Sequence, residues 1–164
     1  MLTWSAFAEI RPDLATAGEQ LLYQFGVGLA FLATTRADGA PRLHPVCPIL
    51  LGGGLYALIT PSPKRADLNR DGRYALHSFP AEDSDDAFSI TGRVQDVDEQ
   101  ITRQKIVGRY IEERRLDQTP GEVSTWHPFE FLIGSSLLTR TSGHGDPTPR
   151  HTSWHSVDRR RSER

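Results

Sequence analysis

The chain has one cysteine, Cys47, one methionine, Met1, and only two lysines, Lys64 and Lys105, among its 19 basic residues. A single thiol excludes an internal disulfide and any multi-cysteine metal site. No apolar run approaches the ~18 residues of a membrane span. Met1 runs straight into LTWSAFAEI, without the basic start and apolar stretch of a signal peptide. The expected address is the cytoplasm, with no membrane partner. A formal net charge of -2 over 164 residues gives no basic surface for nucleic acid. Glycine-rich dinucleotide and phosphate loops, the nucleophile elbow and the His-Glu-x-x-His zinc pattern are all missing from the sequence. No acid–base pair stands out, so an enzyme of this kind leaves the hard chemistry to a cofactor.

What is present reads as one domain with a sizeable core. AEIRPDLATAGEQLLYQF predicts a helix, with Pro12 at a first helical position and Leu14, Ala17, Leu21, Leu22 and Phe25 as its apolar stripe. LAFLATT, APRLHPVCPILL and LYALIT then read as a three-stranded meander, turned by Asp38-Gly39 and by Gly52-Gly53-Gly54. Pro41, Pro45 and Pro48 mark the middle segment as an edge or irregular strand. SPKRADLNRDG predicts a short helix stopped by Asp71-Gly72. RYALHSF and AFSITGRVQDV are further strands, with Gly92 as a bulge or barrel bend. DEQITRQKIVGRYIEERRL predicts a helix with an acidic first and a basic last turn, and WHPFEFLIGSSLLTRT a sixth strand. Six short strands with few helices indicate a mainly β chain, either a small antiparallel barrel or an open α+β sheet.

Residues 142–164 are Gly, Pro, His, Ser and Arg with few apolar positions, which predicts a poorly ordered tail or one lying on a partner. Its histidines, His144, His151 and His155, read as polar tail residues, because a zinc site needs fixed ligands. RRRSER at the end reads as a solvated terminus, and the acidic run 82–86 as a solvated loop. Trp4 and Trp126 read as packing residues, and Cys47 as a small buried hydrophobe. Trp154 is the one aromatic of the tail.

One junction carries chemistry. Ser62 and Lys64 stand where a strand gives way to a helix, so free N–H groups and the positive end of the dipole meet a hydroxyl and an ammonium there. Arg65 adds a forked donor. Strand alternation places Arg42, His44 and Val46 on one face, and two of these are basic. The set suits a phosphate; the bland alternative is a row of solvated polar residues.

The stretch FLATTRADGAPRLHPVCPILLGGGLYALITPSPKRADLNRDGRYAL resembles the pyridoxamine 5'-phosphate oxidase-like proteins, the flavin-binding split barrels. Their pattern is a strand, Asp-Gly-x-Pro, a strand with Arg or His, a Gly turn, a strand ending in Thr, and then Ser-x-Lys. The resemblance implies a six-stranded antiparallel split β-barrel with flanking short helices over residues 1–141. It also implies a homodimer with the cofactor groove at the interface, FMN, and oxidation or reduction of a small substrate. By the same resemblance, His44 approaches the flavin phosphate, which Arg42 can join from the same strand face, and the backbone of Pro45, Val46, Cys47 and Pro48 runs along the ring. Thr60 lies beside the flavin, and Ser62 and Lys64 bind the phosphate, with Arg65 adjacent. The departures count against the vitamin oxidase itself. Pro63 and Ile49 stand where it has arginine and lysine, Ala87 stands near the place of a lost glutamine, and SLLTRTSGHGD does not supply its Arg-x-His signature. A non-enzymatic flavin- or haem-binding module and a deazaflavin-dependent reductase are the alternative readings, and no catalytic acid is identifiable.

Overall fold

The computed structural model describes residues 1–116 and 125–156. The helical opening is two helices, α1 (Trp4–Ile10) and α2 (Pro12–Leu22). Arg11 breaks them at φ -133° and ψ 68°, because a residue before proline is pushed out of the α region. Pro12 then starts α2 without needing an N–H partner. Leu14, Ala17, Leu21 and Leu22 are buried as their spacing predicts, whereas Phe25 lies beyond the helix end and is exposed.

Eight strands follow where six were expected: β1 (Ala30–Thr35), β2 (Pro41–Val46), β3 (Ile49–Leu51), β4 (Gly54–Ile59), β5 (Arg73–Ser78), β6 (Ala87–Asp96), β7 (His127–Arg140) and β8 (Arg150–His155). Two more helices, α3 (Pro63–Arg70) and α4 (Gln100–Glu113), are inserted after β4 and β6. The extra strands have separate causes. The Cys47-Pro48 step interrupts the second predicted segment and divides it into β2 and β3. The polar tail contributes β8, which pairs antiparallel with β7. The tail is thus tied down as far as His155, and Trp154 packs against Phe7 with ring centroids 5.2 Å apart. RRRSER lies outside the described residues.

The strand order is β2-β1-β5-β6-β7-β4-β3, all antiparallel, with β8 on the second half of β7. β2 and β3 end the path on opposite sides, yet only Cys47 and Pro48 separate them in the chain. Three residue steps span at most about 11 Å. The sheet therefore curls until its two edges almost meet, and the gap between them is the split of the barrel. Gly92 sits at the register shift of the β6–β7 pair, as a bulge. A Cβ there would lie 1.8 Å from the Leu132 carbonyl oxygen, so no other residue fits without moving the backbone.

The core lies inside the curl. Leu32, Leu55, Ile59, Leu76, Phe88, Ile90, Phe129 and Phe131 face it, and Trp4, Phe7, Leu14 and Leu22 of α1 and α2 complete it. Gly18 brings α2 against the Phe88 ring more closely than any side chain would allow. A smaller cluster of Ile49, Val97 and Ile106 lies under α4, with Tyr56, Leu58 and Tyr110 packed on it. β4 is covered on both faces, Leu55, Ala57 and Ile59 turning inward and Tyr56 and Leu58 toward α4. The expected acidic first turn and basic last turn of α4 are absent: Glu99 is its N-cap and Arg114 its C-cap, so both charges fall outside the helix. No helix of the described residues is long and apolar enough to cross a membrane.

Candidate functional site

β4 ends at Ile59, and Thr60-Pro61 turns the chain into α3. Ser62 is the N-cap in an extended conformation, with Pro63 at the first helical position. Its hydroxyl donates to the Thr60 carbonyl at 2.9 Å and does not cap the helix. The start of α3 therefore keeps N–H groups without a side-chain acceptor, the condition for anion binding at a helix N-terminus.

Lys64 leans from the first turn of α3 across the open edge of β2. Its Nζ donates to the Pro45 carbonyl at 3.4 Å, its one hydrogen bond among the described residues. Burial lowers the ammonium's pKa below the ordinary lysine value, and the nearby Cys47 acts in the opposite sense. Arg65 turns elsewhere, with Nη1 donating to the Thr125 carbonyl at 2.8 Å. That bond fastens the chain before β7 to the helix start.

On β2 the predicted alternation holds. Arg42, His44 and Val46 face the less exposed side, while Pro41, Leu43 and Pro45 face solvent. The two basic residues nonetheless have different surroundings. Arg42 Nε donates to Asp67 of α3 at 2.7 Å, and Asp67 also accepts from Thr34 Oγ1 at 3.0 Å and Arg70 Nη1 at 3.1 Å. Burial by itself would raise the pKa of the Asp67 carboxyl; these three donors outweigh it and hold the carboxyl below the usual range. Arg42 is thus the strut that seats α3 on β1 and β2. His44 lies opposite Leu32 and makes no hydrogen bond among the described residues. Val46 and Pro48 are buried, Cys47 is half-buried, and Pro45 and Thr60 are exposed.

The far wall of the split comes from α4, which the sequence did not connect with this site. The Arg114 guanidinium lies over the Tyr110 ring at 4.1 Å, and the Trp126 ring meets it edge-on at 5.3 Å. Arg114 Nη2 donates to the Gly28 carbonyl at 3.3 Å. Gly28 in turn lies so close to Pro48 that a Cβ would fall 1.9 Å from its carbonyl oxygen. Glu113 anchors the assembly, pairing with Arg109 at 3.2 Å and Arg114 at 3.5 Å and accepting from the Tyr23 hydroxyl at 3.2 Å. That hydroxyl also accepts from the Leu50 N–H at 2.9 Å, and burial, with Glu113 nearby, pushes the Tyr23 pKa up to about 12. Arg109 Nε, Arg114 Nη1 and Glu113 Oε2 are buried with no hydrogen-bond partner of good geometry among the described residues.

The candidate site is therefore the groove of the split, between the two edges of the sheet. One side is the β2 edge with Lys64 and the uncapped start of α3; the other is Tyr110, Arg114 and Trp126. The structure brings Pro45, Cys47, Ser62 and Lys64 together there and leaves Arg42 in a structural ion pair. The tail histidines lie elsewhere: His144 bonds Asp85 at 2.9 Å and the Glu82 carbonyl at 3.1 Å, and His151 bonds Thr139 at 3.0 Å.

No family model matches this chain, and no curated protein matches it. Solved structures do. A heme binding protein from Mycobacterium smegmatis superposes with a TM-score of 0.60 at 17% identity, covering 85% of this chain and 57% of that one. This chain thus spans little more than half of that neighbour. An F420 reductase superposes at 0.58 with 16% identity, covering 71% and 94%. A protein from Clostridium acetobutylicum related to general stress protein 26 of B. subtilis, of the pyridoxinephosphate oxidase family, superposes at 0.61 with 10% identity, covering 87% and 96%. The mainly β, antiparallel split-barrel fold implied by the sequence resemblance is the fold this chain has.

Proposed function

We propose that the chain is an FMN-binding oxidoreductase acting on a small substrate, with its groove shared between two copies in a homodimer. The observation that carries the reading is the Lys64 ammonium, half withdrawn from water beside an uncapped helix start and offered only a distant carbonyl. A cation so placed gains from an anionic partner, and a phosphate fills the role. In this reading Lys64, Ser62 and the first-turn N–H groups of α3 hold the phosphate, and His44 stands near it. The backbone of Pro45, Val46, Cys47 and Pro48 lies along the ring, with Thr60 at its edge. A bound flavin supplies hydride exchange, and the chain supplies binding, orientation and exclusion of water. Pro63 in place of arginine, and Arg65 turned to Thr125, make this a lighter phosphate site than the vitamin oxidase's.

A deazaflavin or a haem is the second reading, favoured by the F420 reductase and the heme binding protein among the structural neighbours. The absorption spectrum of the purified, cofactor-saturated protein separates them: a band near about 450 nm for FMN, about 420 nm for a deazaflavin and about 400 nm for haem. Light scattering tests the shared groove, since a monomer that retains its cofactor at micromolar concentration overturns it.

A further inference from the structure

The groove contains a phenol held on two sides. Arg114 lies over the Tyr110 ring at 4.1 Å and Trp126 meets it edge-on at 5.3 Å. Each clamp is tied to a different point on the facing wall. Arg114 reaches the Gly28 carbonyl, and Gly28 is in van der Waals contact with Pro48, which places the ring beside the Cys47-Pro48 step. Trp126 follows Thr125, whose carbonyl accepts from Arg65, and this places the same ring beside the first turn of α3. The ring also packs on the cluster formed by Ile49, Val97 and Ile106. Tyr110 thus stands where the two walls converge, with a fixed ring and a hydroxyl that makes no hydrogen bond among the described residues. Burial raises its pKa, and Cys47 adds to the effect, so the hydroxyl keeps its proton at neutral pH.

A rigid aromatic ring carrying an unpartnered O–H beside the Cys47-Pro48 step suits a flat heteroaromatic ligand with carbonyl or ring-nitrogen acceptors. We propose that the Tyr110 hydroxyl donates a hydrogen bond to the ring system of the cofactor, so that the phosphate and the ring are read by residues on opposite walls. This rests on the flavin reading given above, and the two are separable by experiment.

The test is a fluorescence titration of wild type, Tyr110→Phe and Lys64→Ala with FMN and with riboflavin, which lacks the phosphate. The phenylalanine keeps the ring between its clamps, so an unchanged circular-dichroism spectrum and thermal midpoint are expected. One neutral hydrogen bond corresponds to roughly a three- to tenfold change in affinity. Tyr110→Phe is expected to weaken FMN and riboflavin binding by that same factor, whereas Lys64→Ala weakens FMN alone. Equal binding of both flavins by wild type and Tyr110→Phe overturns the inference and leaves the flavin reading standing. Loss confined to FMN overturns it as well, since the hydroxyl would then serve the phosphate. A wild-type protein that binds neither flavin overturns the flavin reading and this inference together.

Discussion

The Arg42 guanidinium and the Asp67 carboxylate meet at 2.7 Å, 25 residues apart in sequence, and their contact seats α3 on the barrel. Asp67 is almost fully buried and has three donors, so deleting its side chain leaves Thr34, Arg42 and Arg70 without that acceptor. Asp67→Ala is expected to cost about 2–4 kcal/mol in a urea unfolding experiment. The pH dependence has a definite sign. The folded carboxyl titrates below the unfolded value of about 3.9, so its contribution is complete above that value and is lost as pH falls through the lower folded one. Wild type should lose stability steeply in that acid range, and Asp67→Asn should show a flatter profile there.

Lys64→Ala is expected to weaken FMN binding while leaving the fold intact, because its one hydrogen bond among the described residues is the long one to the Pro45 carbonyl. A charge-assisted hydrogen bond contributes about 1.5–3 kcal/mol, or roughly ten- to hundredfold in affinity. Riboflavin should bind wild type and variant alike. Equal losses for both flavins, or no loss for either, would remove the phosphate from Lys64.

Cys47→Ala is expected to keep the cofactor and the activity, with a stability change of about 1 kcal/mol. The thiol is half-buried on the step between β2 and β3, and in the proposed flavin site it is the backbone there that lies along the ring. Full cofactor retention with complete loss of turnover would instead assign chemistry to the sulfur.

Trp154→Ala tests whether the tail belongs to the fold. The ring packs on Phe7, and Arg11 reaches the neighbouring Ser153 carbonyl at 3.4 Å. A loss of about 1–3 kcal/mol is expected by thermal or urea melting; no change would make β8 an ornament on the barrel.

The parts of the fold legible in the sequence are those set by short-range chemistry. Gly39 and Gly72 turn with φ of 83° and 73°; Gly92 makes the bulge; Ser62 and Pro63 start α3. Each depends on a backbone preference that neighbouring residues reveal. What escaped depends on packing at a distance. β8 has hardly any apolar residue to announce it and forms because β7, at fourteen residues, outruns its partner β4. Arg42 reads as a phosphate ligand until α3 brings Asp67 beneath it. Tyr110 reads as one more residue on a helix until α4 packs on β3 and β4 and turns it toward the split. Alternation put Arg42 and His44 on one strand face and the helix start singled out Lys64, but only the curl of the sheet decides which side chains share a space.

The division of β7 has a mechanical consequence. Its first residues, from His127 to Glu130, pair with β4, beside the start of α3, while Ser135 to Arg140 pair with β8. A tensile load applied at His155 meets β8 first, an outer strand with one strand neighbour, and peels it rung by rung toward Arg150. Phe7 loses the Trp154 ring in that event and keeps Trp4, while the β4–β7 rungs lie outside the pairs that are peeled. The molecule has a frangible end and a stiff one, and the candidate site is at the stiff one.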